Sequence, residues 1–189
     1  AVGGIDVERD DIVLHVGTRR QKNPEISIMA FVAACRSHGI KNAKLIIVGN
    51  PAGRLLNLYR KVPSDIRRKI RFVGILPKIR LLKLIARSKV LLAPSIYEAF
   101  PILSLEALAL GTPVVASSAI PEEILVDGVT GFRINDPFNY KAFGNLLVRV
   151  LEDESLWSEL HENCLKRAEM FDSIRVGRVL INAYKEILR

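Results

Sequence analysis

The sequence has no apolar stretch long enough to cross a membrane, and it has little cysteine. Apolar runs such as residues 99–103 and 107–111 are far shorter than the roughly 18 to 20 residues that a membrane-spanning helix needs. No charged-then-apolar signal peptide opens the sequence. The two cysteines, Cys35 and Cys164, form no CxxC or His-flanked pattern, so we expect both to be reduced helix residues. These absences favour a soluble, cytoplasmic protein.

Glycine-rich phosphate motifs and obvious metal sites are also absent from the sequence. Neither GxGxxG nor GxxxxGK[ST] occurs, which disfavours a flavin- or nicotinamide-dependent oxidoreductase and a P-loop protein. No Asp-x-Asp pair occurs, and the acidic residues 152–154 fit the start of a helix, so we expect no metal and no cofactor. Of the scattered histidines, His15, His38 and His161, only His15 could approach a ligand, and a packed strand-end histidine is favoured there.

Positive charge is in excess. The chain has 28 Lys and Arg against 20 Asp and Glu, a formal net charge of +8, which favours phosphorylated small molecules, nucleic acid or an acidic membrane surface as partners. Nucleic acid is disfavoured because few aromatic residues interleave the basic ones and no binding signature occurs. Arg80, Lys83 and Arg87 share one face of a predicted helix. A solvated amphipathic helix is favoured, with peripheral contact at the inner membrane surface as the alternative.

Short apolar segments alternate with helical patterns about six times. Strands are predicted at residues 12–16, 44–48, 70–73, 89–93, 113–116 and 131–134. Helices are predicted at residues 24–37, 53–61, 79–87, 102–110 and 121–126, with two or three more from about residue 138. This order predicts a single α/β domain over residues 1–189: a Rossmann-like, doubly wound parallel sheet of about six strands, with helices on both faces and C-terminal helices. Ligands of such sheets bind outside the carboxyl ends of the strands.

The loop after the first predicted strand is rich in cations. It reads "GTRRQKNP" and places Arg19, Arg20 and Lys22 immediately before a helix N-terminus, where unpaired amides favour an anion. Gly17 permits a tight turn at its start. The pattern indicates a phosphate site, and an ordinary basic turn is the alternative.

Two glutamates flank and enter the predicted helix after the fourth strand. Glu106 is the only ionisable residue of that helix, and burying an unpaired carboxylate costs several kcal/mol, so Glu106 faces either a narrow exposed stripe or a polar ligand. Glu98 precedes the helix, roughly 6 to 8 Å from Glu106 along the axis. Two acceptors at that separation could each hold a different pair of hydroxyls of a ribose or a hexose.

The segment "EAFPILSLE" resembles the E-x7-E motif of retaining glycosyltransferases of the GT-B fold, in particular family 4, the glycosyl transferases group 1. "HVGTRRQKN", "KLIIVGNPAGR", "IRFVGIL" and "IPEEILVDGVTGFRI" resemble its successive segments in the right order, and "GGIDVERD" resembles the exit of its interdomain linker. The resemblance implies a nucleotide-sugar-binding domain, the C-terminal half of a GT-B hexosyltransferase. The acceptor domain is expected in the same chain or a partner chain, so this half alone is expected to be inactive.

The resemblance also implies roles for single residues. Glu98 would be the catalytic-site acid that binds hydroxyls of the donor sugar, and Glu106 would bind the ribose. The remaining implied substrate contacts come from the first loop, the backbone after the third strand and the backbone before the E-x7-E helix: Gly17, Arg19 or Arg20, Lys22, Gly74, Ile75, Ala99, Phe100, Pro101 and Ile102. The family often has glycines at the positions of Ala99 and Pro101, so fewer donor contacts from free backbone are expected here. It commonly has arginine at the position of Thr18, which leaves the choice between Arg19 and Arg20 open.

A second class of function is compatible with the same residues. A non-catalytic nucleotide- or nucleotide-sugar-binding module that regulates or scaffolds would also need a phosphate loop and hydroxyl acceptors. The enzyme and the module differ in whether an acceptor half accompanies the domain, and the sequence of this half names neither the sugar, the base nor the acceptor.

Overall fold

The computed structural model describes residues 9–38, 40, 42–172 and 181. Six strands are present in this part of the chain: β1 (Asp10–Val16), β2 (Lys44–Val48), β3 (Ile70–Phe72), β4 (Ser88–Ala93), β5 (Val114–Ser117) and β6 (Gly131–Ile134). The helices are α1 (Pro24–His38), α2 (Gly53–Lys61), α3 (Ser64–Arg67), α4 (Lys78–Arg87), α5 (Ile102–Ala109), α6 (Tyr140–Glu152) and α7 (Glu154–Ala168), with single 3₁₀ turns at Arg20–Lys22 and Glu169–Phe171. Most of "GGIDVERD", the side chain of His38 and nearly all of the predicted helix after Asp172 lie outside the described residues.

The six strands form one parallel sheet in the order β3-β2-β1-β4-β5-β6. β1 is central: Val13 pairs with Leu45 of β2 on one side and with Val90 of β4 on the other. The strand order reverses between β1 and β4, which is the topological switch point of a doubly wound sheet. The predicted Rossmann-like α/β fold is confirmed.

Apolar side chains on both faces of the sheet explain why its strands read as continuous apolar runs. Val13 of β1 packs with α1, α2 and α6 on one face, whereas its neighbour Leu14 packs with α4 and α5 on the other. Helix α7 contributes to both layers, with Leu160 on the first and Cys164 on the second. Cys35 and Cys164 are both free helix residues, as predicted.

The predicted helix at residues 121–126 is wrong. The amides of Ile124 and Leu125 both donate to Pro121 O, which makes one turn. The amide of Val126 then donates to the hydroxyl of Thr130, so the next helical hydrogen bond does not form. Helix α3 was not predicted from the sequence, because four residues carry too little periodicity.

Trp157 and His161 pack together at the opposite edge of the sheet from the carboxyl ends of its strands. Their rings stack with centroids 5.0 Å apart, and the Arg9 guanidinium lies over the indole, 5.2 Å from its centroid. The indole also donates to Lys89 O at 2.8 Å. Both rings therefore have packing roles.

His15 is a buried link between β1, β4 and α1. Its Nε2 lies 2.8 Å from Gly17 O, and its Nδ1 lies 2.8 Å from the hydroxyl of Ser27 and 3.1 Å from Leu92 O. A carbonyl only accepts, and a neutral ring carries one proton, so His15 donates either to Gly17 O from Nε2 or to Leu92 O from Nδ1. With the proton on Nε2, Nδ1 accepts from the hydroxyl of Ser27. The pKa of His15 is lowered from 6.5 to about 4. Burial is the main cause and the charge of Lys22 adds to it, against the backbone hydrogen bonds with Gly17 and Leu92, which raise the pKa.

Acid should therefore destabilise the fold through His15. The folded pKa lies below the unfolded value, so the unfolded chain binds the proton more readily, and the stability present above about pH 6.5 is lost as the pH falls towards 4. The expected loss in the free energy of unfolding approaches about 1.4 kcal/mol per pH unit across that window. Urea unfolding at a series of pH values measures it. His15→Gln, which keeps an amide donor for Gly17 O, should flatten the slope above about pH 5, where carboxylates contribute little, and an unchanged slope would contradict the assignment.

Gly131 should not tolerate a side chain. Its φ is 145°, and a Cβ there would lie 1.9 Å from Val114 O in the neighbouring strand. Gly131→Ala should lower the free energy of unfolding by about 3 kcal/mol or more, because β5 and β6 must separate. Gly128 is the matched control: its φ is 73° but no atom lies within 4 Å of an added Cβ, so Gly128→Ala should cost only about 1 to 2 kcal/mol. Equal urea midpoints for the two variants would contradict this.

Candidate functional site

A cleft opens at the carboxyl ends of β1 and β4, at the switch point of the sheet. Its volume is about 180 Å³. The loops that form it are joined through the backbone, since the amide of Ile96, after β4, donates to Gln21 O, after β1, at 2.8 Å. The lining side chains come from these strand ends and from the start of α5: His15, Val16, Lys22, Leu92, Ala93, Ser95, Glu98, Phe100, Pro101, Ile102, Leu103 and Ser104.

Glu98 and Lys22 form an ion pair inside this cleft. The Lys22 ammonium donates to Glu98 Oε1 at 2.5 Å, and the hydroxyl of Ser95 donates to the same oxygen at 2.7 Å. Only 10% of the Glu98 side chain and 27% of the Lys22 side chain is exposed. The structure thus brings together the acid of the fourth loop and a cation of the first loop, and it adds Ser95, which the sequence analysis did not single out.

The first loop is shaped so that Lys22 reaches Glu98. Gly17 ends β1 with φ 103°, and a Cβ there would lie 3.0 Å from Lys22 Cγ, so the lysine stem packs directly over the glycine backbone. After the 3₁₀ turn, Asn23 has a left-handed φ of 56°, and its side-chain nitrogen Nδ2 donates to Pro137 O at 2.8 Å. Asparagine tolerates this conformation better than most residues. The turn and its anchor fix the direction in which Lys22 leaves the loop.

Glu106 is paired with a different lysine. It lies in the second turn of α5 with 20% of its side chain exposed, and its carboxylate accepts from the ammonium of Lys78, the first residue of α4. Both helices begin at the edge of the sheet where the cleft opens, because each follows a parallel strand. Lys78 could not be identified from the sequence as a partner of Glu106, since the two are 28 positions apart and Lys78 is one of many basic residues.

The N-terminus of α5 borders the cleft. The residue before the helix, Pro101, provides no side-chain cap, and among the described residues no other side chain bonds to the first amides of α5. Ile102 and Ser104, in the first turn, line the cleft. The amides of Ile102 and Ser104 donate to the backbone carbonyls of Phe100 and Pro101. The positive end of the helix dipole, beside a lysine, favours an anion.

The other residues that the sequence singled out lie around this centre. Arg20 lines a neighbouring cleft of about 390 Å³, together with Arg54 and Phe138. Arg19 is exposed, and so is 85% of Ile75. Gly74, Ile75, Ala99 and Glu106 are not among the residues that line the main cleft.

Gly74 belongs to the adjoining loop after β3. It has φ 67°, and its carbonyl accepts from the amide of Gly49 at 2.7 Å. A Cβ on Gly49 would lie 2.8 Å from Thr18 Cγ2, so Thr18 of the first loop packs against the loop after β2. The loops after β1, β2 and β3 are therefore packed side by side along one edge.

No cluster of three or more His, Cys, Asp or Glu residues with metal-site geometry occurs within the described part of the chain. The acidic residues 152–154 instead serve the start of α7, where the carboxylate of Asp153 accepts from the amide of Leu156 at 2.9 Å. Glu154 pairs with Lys89.

None of the helices in the described residues combines the length and the apolar character that a membrane span requires.

Known proteins similar to this chain are glycosyltransferases. An uncharacterized glycosyltransferase of Methanocaldococcus jannaschii is 33% identical over 187 residues, which is 96% of this chain and 46% of the relative. A D-inositol 3-phosphate glycosyltransferase of Corynebacterium glutamicum (strain R) is 26% identical over 172 residues, which is 88% of this chain and 41% of the relative. The crystal structure of Anabaena HepE in complex with UDP-glucose has a TM-score of 0.74 at 22% identity, over 94% of this chain and 49% of that one.

The chain spans less than half the length of these proteins. The matched region of this chain contains the Rossmann-like sheet and the cleft at its switch point. The family model described as glycosyl transferases group 1 matches residues 5–170, which is most of the sequence, and the chain belongs to this family.

Proposed function

We propose that this chain is the donor-binding domain of a retaining glycosyltransferase of the GT-B fold, which transfers a hexose from a nucleoside diphosphate sugar. The observation that carries the proposal is the Lys22–Glu98 pair in the cleft at the switch point. It holds a cation and a hydroxyl acceptor side by side, which is the combination that a sugar bound to phosphate needs. Anabaena HepE, which shares the fold, was crystallised with UDP-glucose, and the ligand class is taken from there as part of the proposal.

Each element of the site then has a task. Glu98 accepts hydrogen bonds from hydroxyls of the donor sugar, and Glu106 accepts from the ribose hydroxyls. Lys22, with Arg19 or Arg20, neutralises the diphosphate, aided by the first amides of α5 and by the turn at Gly17. The backbone at Gly74 and Ile75 meets the base. These roles extend the family resemblance to residues that line the cleft, such as Lys22 and Glu98, and to residues outside its lining, such as Glu106.

The chemistry that such a site supports is stabilisation of a leaving group. The bond between the anomeric carbon and the diphosphate oxygen breaks, and negative charge develops on the diphosphate where the Lys22 ammonium and the amides of α5 can stabilise it. An acceptor hydroxyl forms the new bond to the anomeric carbon on the same face and passes its proton to the departing diphosphate oxygen, so the configuration is retained. Preorganised charges in a cleft of low exposure do this better than mobile ones in water.

In the proposal, residues of another domain bind the acceptor. The chain covers 46% of its relative from Methanocaldococcus, so an acceptor domain in the same or a partner chain would complete the site. A non-catalytic module remains the second candidate, since the Lys22–Glu98 pair would also bind a nucleotide sugar without transfer. Peripheral membrane contact at the cytoplasmic face stays a prediction, with exposed Arg80 and Lys83 of α4 as its basis.

Glu98→Gln should remove the contribution of the sugar to binding. Calorimetric titration with UDP, GDP and ADP, and with their sugars, gives the ratio of nucleoside diphosphate Kd to nucleotide sugar Kd. A hydrogen bond to a charged group contributes roughly 10- to 100-fold in affinity, so the ratio should fall by about that factor while the nucleoside diphosphate still binds. A ratio equal to that of the wild-type chain would remove Glu98 from the sugar site.

Glu106→Gln should weaken the nucleoside diphosphate and its sugar by the same factor, about tenfold, because it acts on the ribose common to both. Glu162→Gln is the matched control. Glu162 also pairs with a lysine on a helix surface, Lys166 at 3.7 Å, but in α7 away from the cleft. If Glu106→Gln binds every ligand as Glu162→Gln does, the ribose role is wrong.

A further inference from the structure

The carboxylate of Glu98 is held by one of its two oxygens. Both hydrogen bonds, from Lys22 at 2.5 Å and from Ser95 at 2.7 Å, go to Oε1. Every buried side-chain nitrogen or oxygen of the described residues has a partner, so Oε2, which has none there, is open to the cleft. Oε2 is therefore the atom that a ligand hydroxyl would meet.

Ser95 is itself rigidly placed. The residue is 1% exposed, and its carbonyl accepts from the hydroxyl of Ser117 at 2.5 Å. Ser117, also 1% exposed, ends β5, so the neighbouring strand fixes the backbone of Ser95. On the other side of Ser95, the amide of Ile96 is tied to Gln21 O at 2.8 Å. The hydroxyl of Ser95 thus leaves a backbone that is fixed from both sides.

Lys22 cannot serve Glu98 fully once a donor binds. If the proposed function holds, the Lys22 ammonium turns towards the diphosphate, whose charge exceeds that of one carboxylate. The hydroxyl of Ser95 then remains as the described donor to Oε1. We infer that Ser95 is a positioning residue for sugar recognition, holding Glu98 so that Oε2 faces the sugar hydroxyls while Lys22 is engaged by phosphate.

This inference rests on the proposed function and adds a residue and an orientation to it. A carboxylate freed from Ser95 can rotate about its terminal torsion, which is broad, and it then loses alignment with the sugar. Groups that orient a binding residue act through geometry, so their removal lowers selectivity for the sugar more than affinity for the nucleotide. A merely structural serine would lower both affinities together.

The test uses the 189-residue chain and the nucleotide sugar of the UDP, GDP and ADP panel that it binds most tightly. Ser95→Ala should lower the ratio of nucleoside diphosphate Kd to nucleotide sugar Kd by about tenfold, and it should leave the Kd of the nucleoside diphosphate within about twofold. Ser95→Thr, which keeps the hydroxyl, should restore the ratio. Ligand-observed saturation-transfer NMR should show weaker transfer to the sugar protons and unchanged transfer to the base protons in Ser95→Ala.

Ser88→Ala is the matched control. Ser88 is 0% exposed and is the first residue of β4, whereas Ser95 comes after the last residue of that strand. The hydroxyl of Ser88 donates to Leu84 O at 2.7 Å. It should lose stability as Ser95→Ala does and keep the wild-type ratio. The two alanine variants together decide the matter even if Ser95→Thr does not fold.

Two failures can be told apart. A wild-type chain that binds no nucleotide sugar overturns the proposed function, and the inference falls with it. A wild-type chain whose sugar-dependent gain is lost in Glu98→Gln but kept in Ser95→Ala overturns the inference alone. Equal weakening of both ligands by Ser95→Ala would also overturn it.

Discussion

The ion pair between Lys22 and Glu98 joins the two loops on which the whole site depends. These loops follow β1 and β4, the adjacent strands at which the order of the sheet reverses. At this point the chain leaves the sheet towards opposite faces, so none of the helices in the described part of the chain covers the gap between the two loops. Two chemically opposite side chains reach into that gap and neutralise each other. Because the two charges are paired, the cleft can carry a charge on each wall above a stable sheet. His15 and Leu92, at the ends of β1 and β4, line the cleft on the side of the sheet.

Most of the sheet could be predicted from the sequence because its strands are buried on both faces. β2 was predicted with its observed bounds, since "KLIIV" is a short apolar run, rich in β-branched residues and bounded by turn residues. Such a run is typical of a buried strand. The prediction failed at residues 121–126 for a local reason. A proline followed by two glutamates is typical of a helix start, but the hydroxyl of Thr130 takes the amide that a longer helix would need. A hydroxyl four residues later leaves no trace in apolar periodicity.

The site could be predicted only as far as topology carries it. The carboxyl ends of parallel strands lie on one side of a sheet, and the resemblance assigned Lys22 and Glu98 to the same nucleotide sugar. The structure pairs the two side chains at 2.5 Å. The pairs of Glu106 with Lys78 and of Glu98 with Ser95 were not predicted. Lysines and serines are common in loops and at helix starts, and which of them lies within hydrogen-bond distance depends on helix rotation and loop conformation. Neither is encoded in spacing along the chain.

In the proposed function, the lysine partners of the two glutamates favour ligands that carry both negative charge and hydroxyl groups. Each carboxylate has a lysine partner, Glu98 with Lys22 and Glu106 with Lys78. A ligand that carries only negative charge can pair with Lys22, but Glu98 then keeps one of its two hydrogen-bond donors. Loss of a donor destabilises a partly buried carboxylate. A ligand that brings only hydroxyls adds neutral donors to carboxylates that are already paired. A phosphorylated sugar supplies the anion for the lysine and the hydroxyls for the acid in the same molecule. In the proposed function, the Lys22–Glu98 ion pair therefore disfavours ligands that carry only one of the two groups.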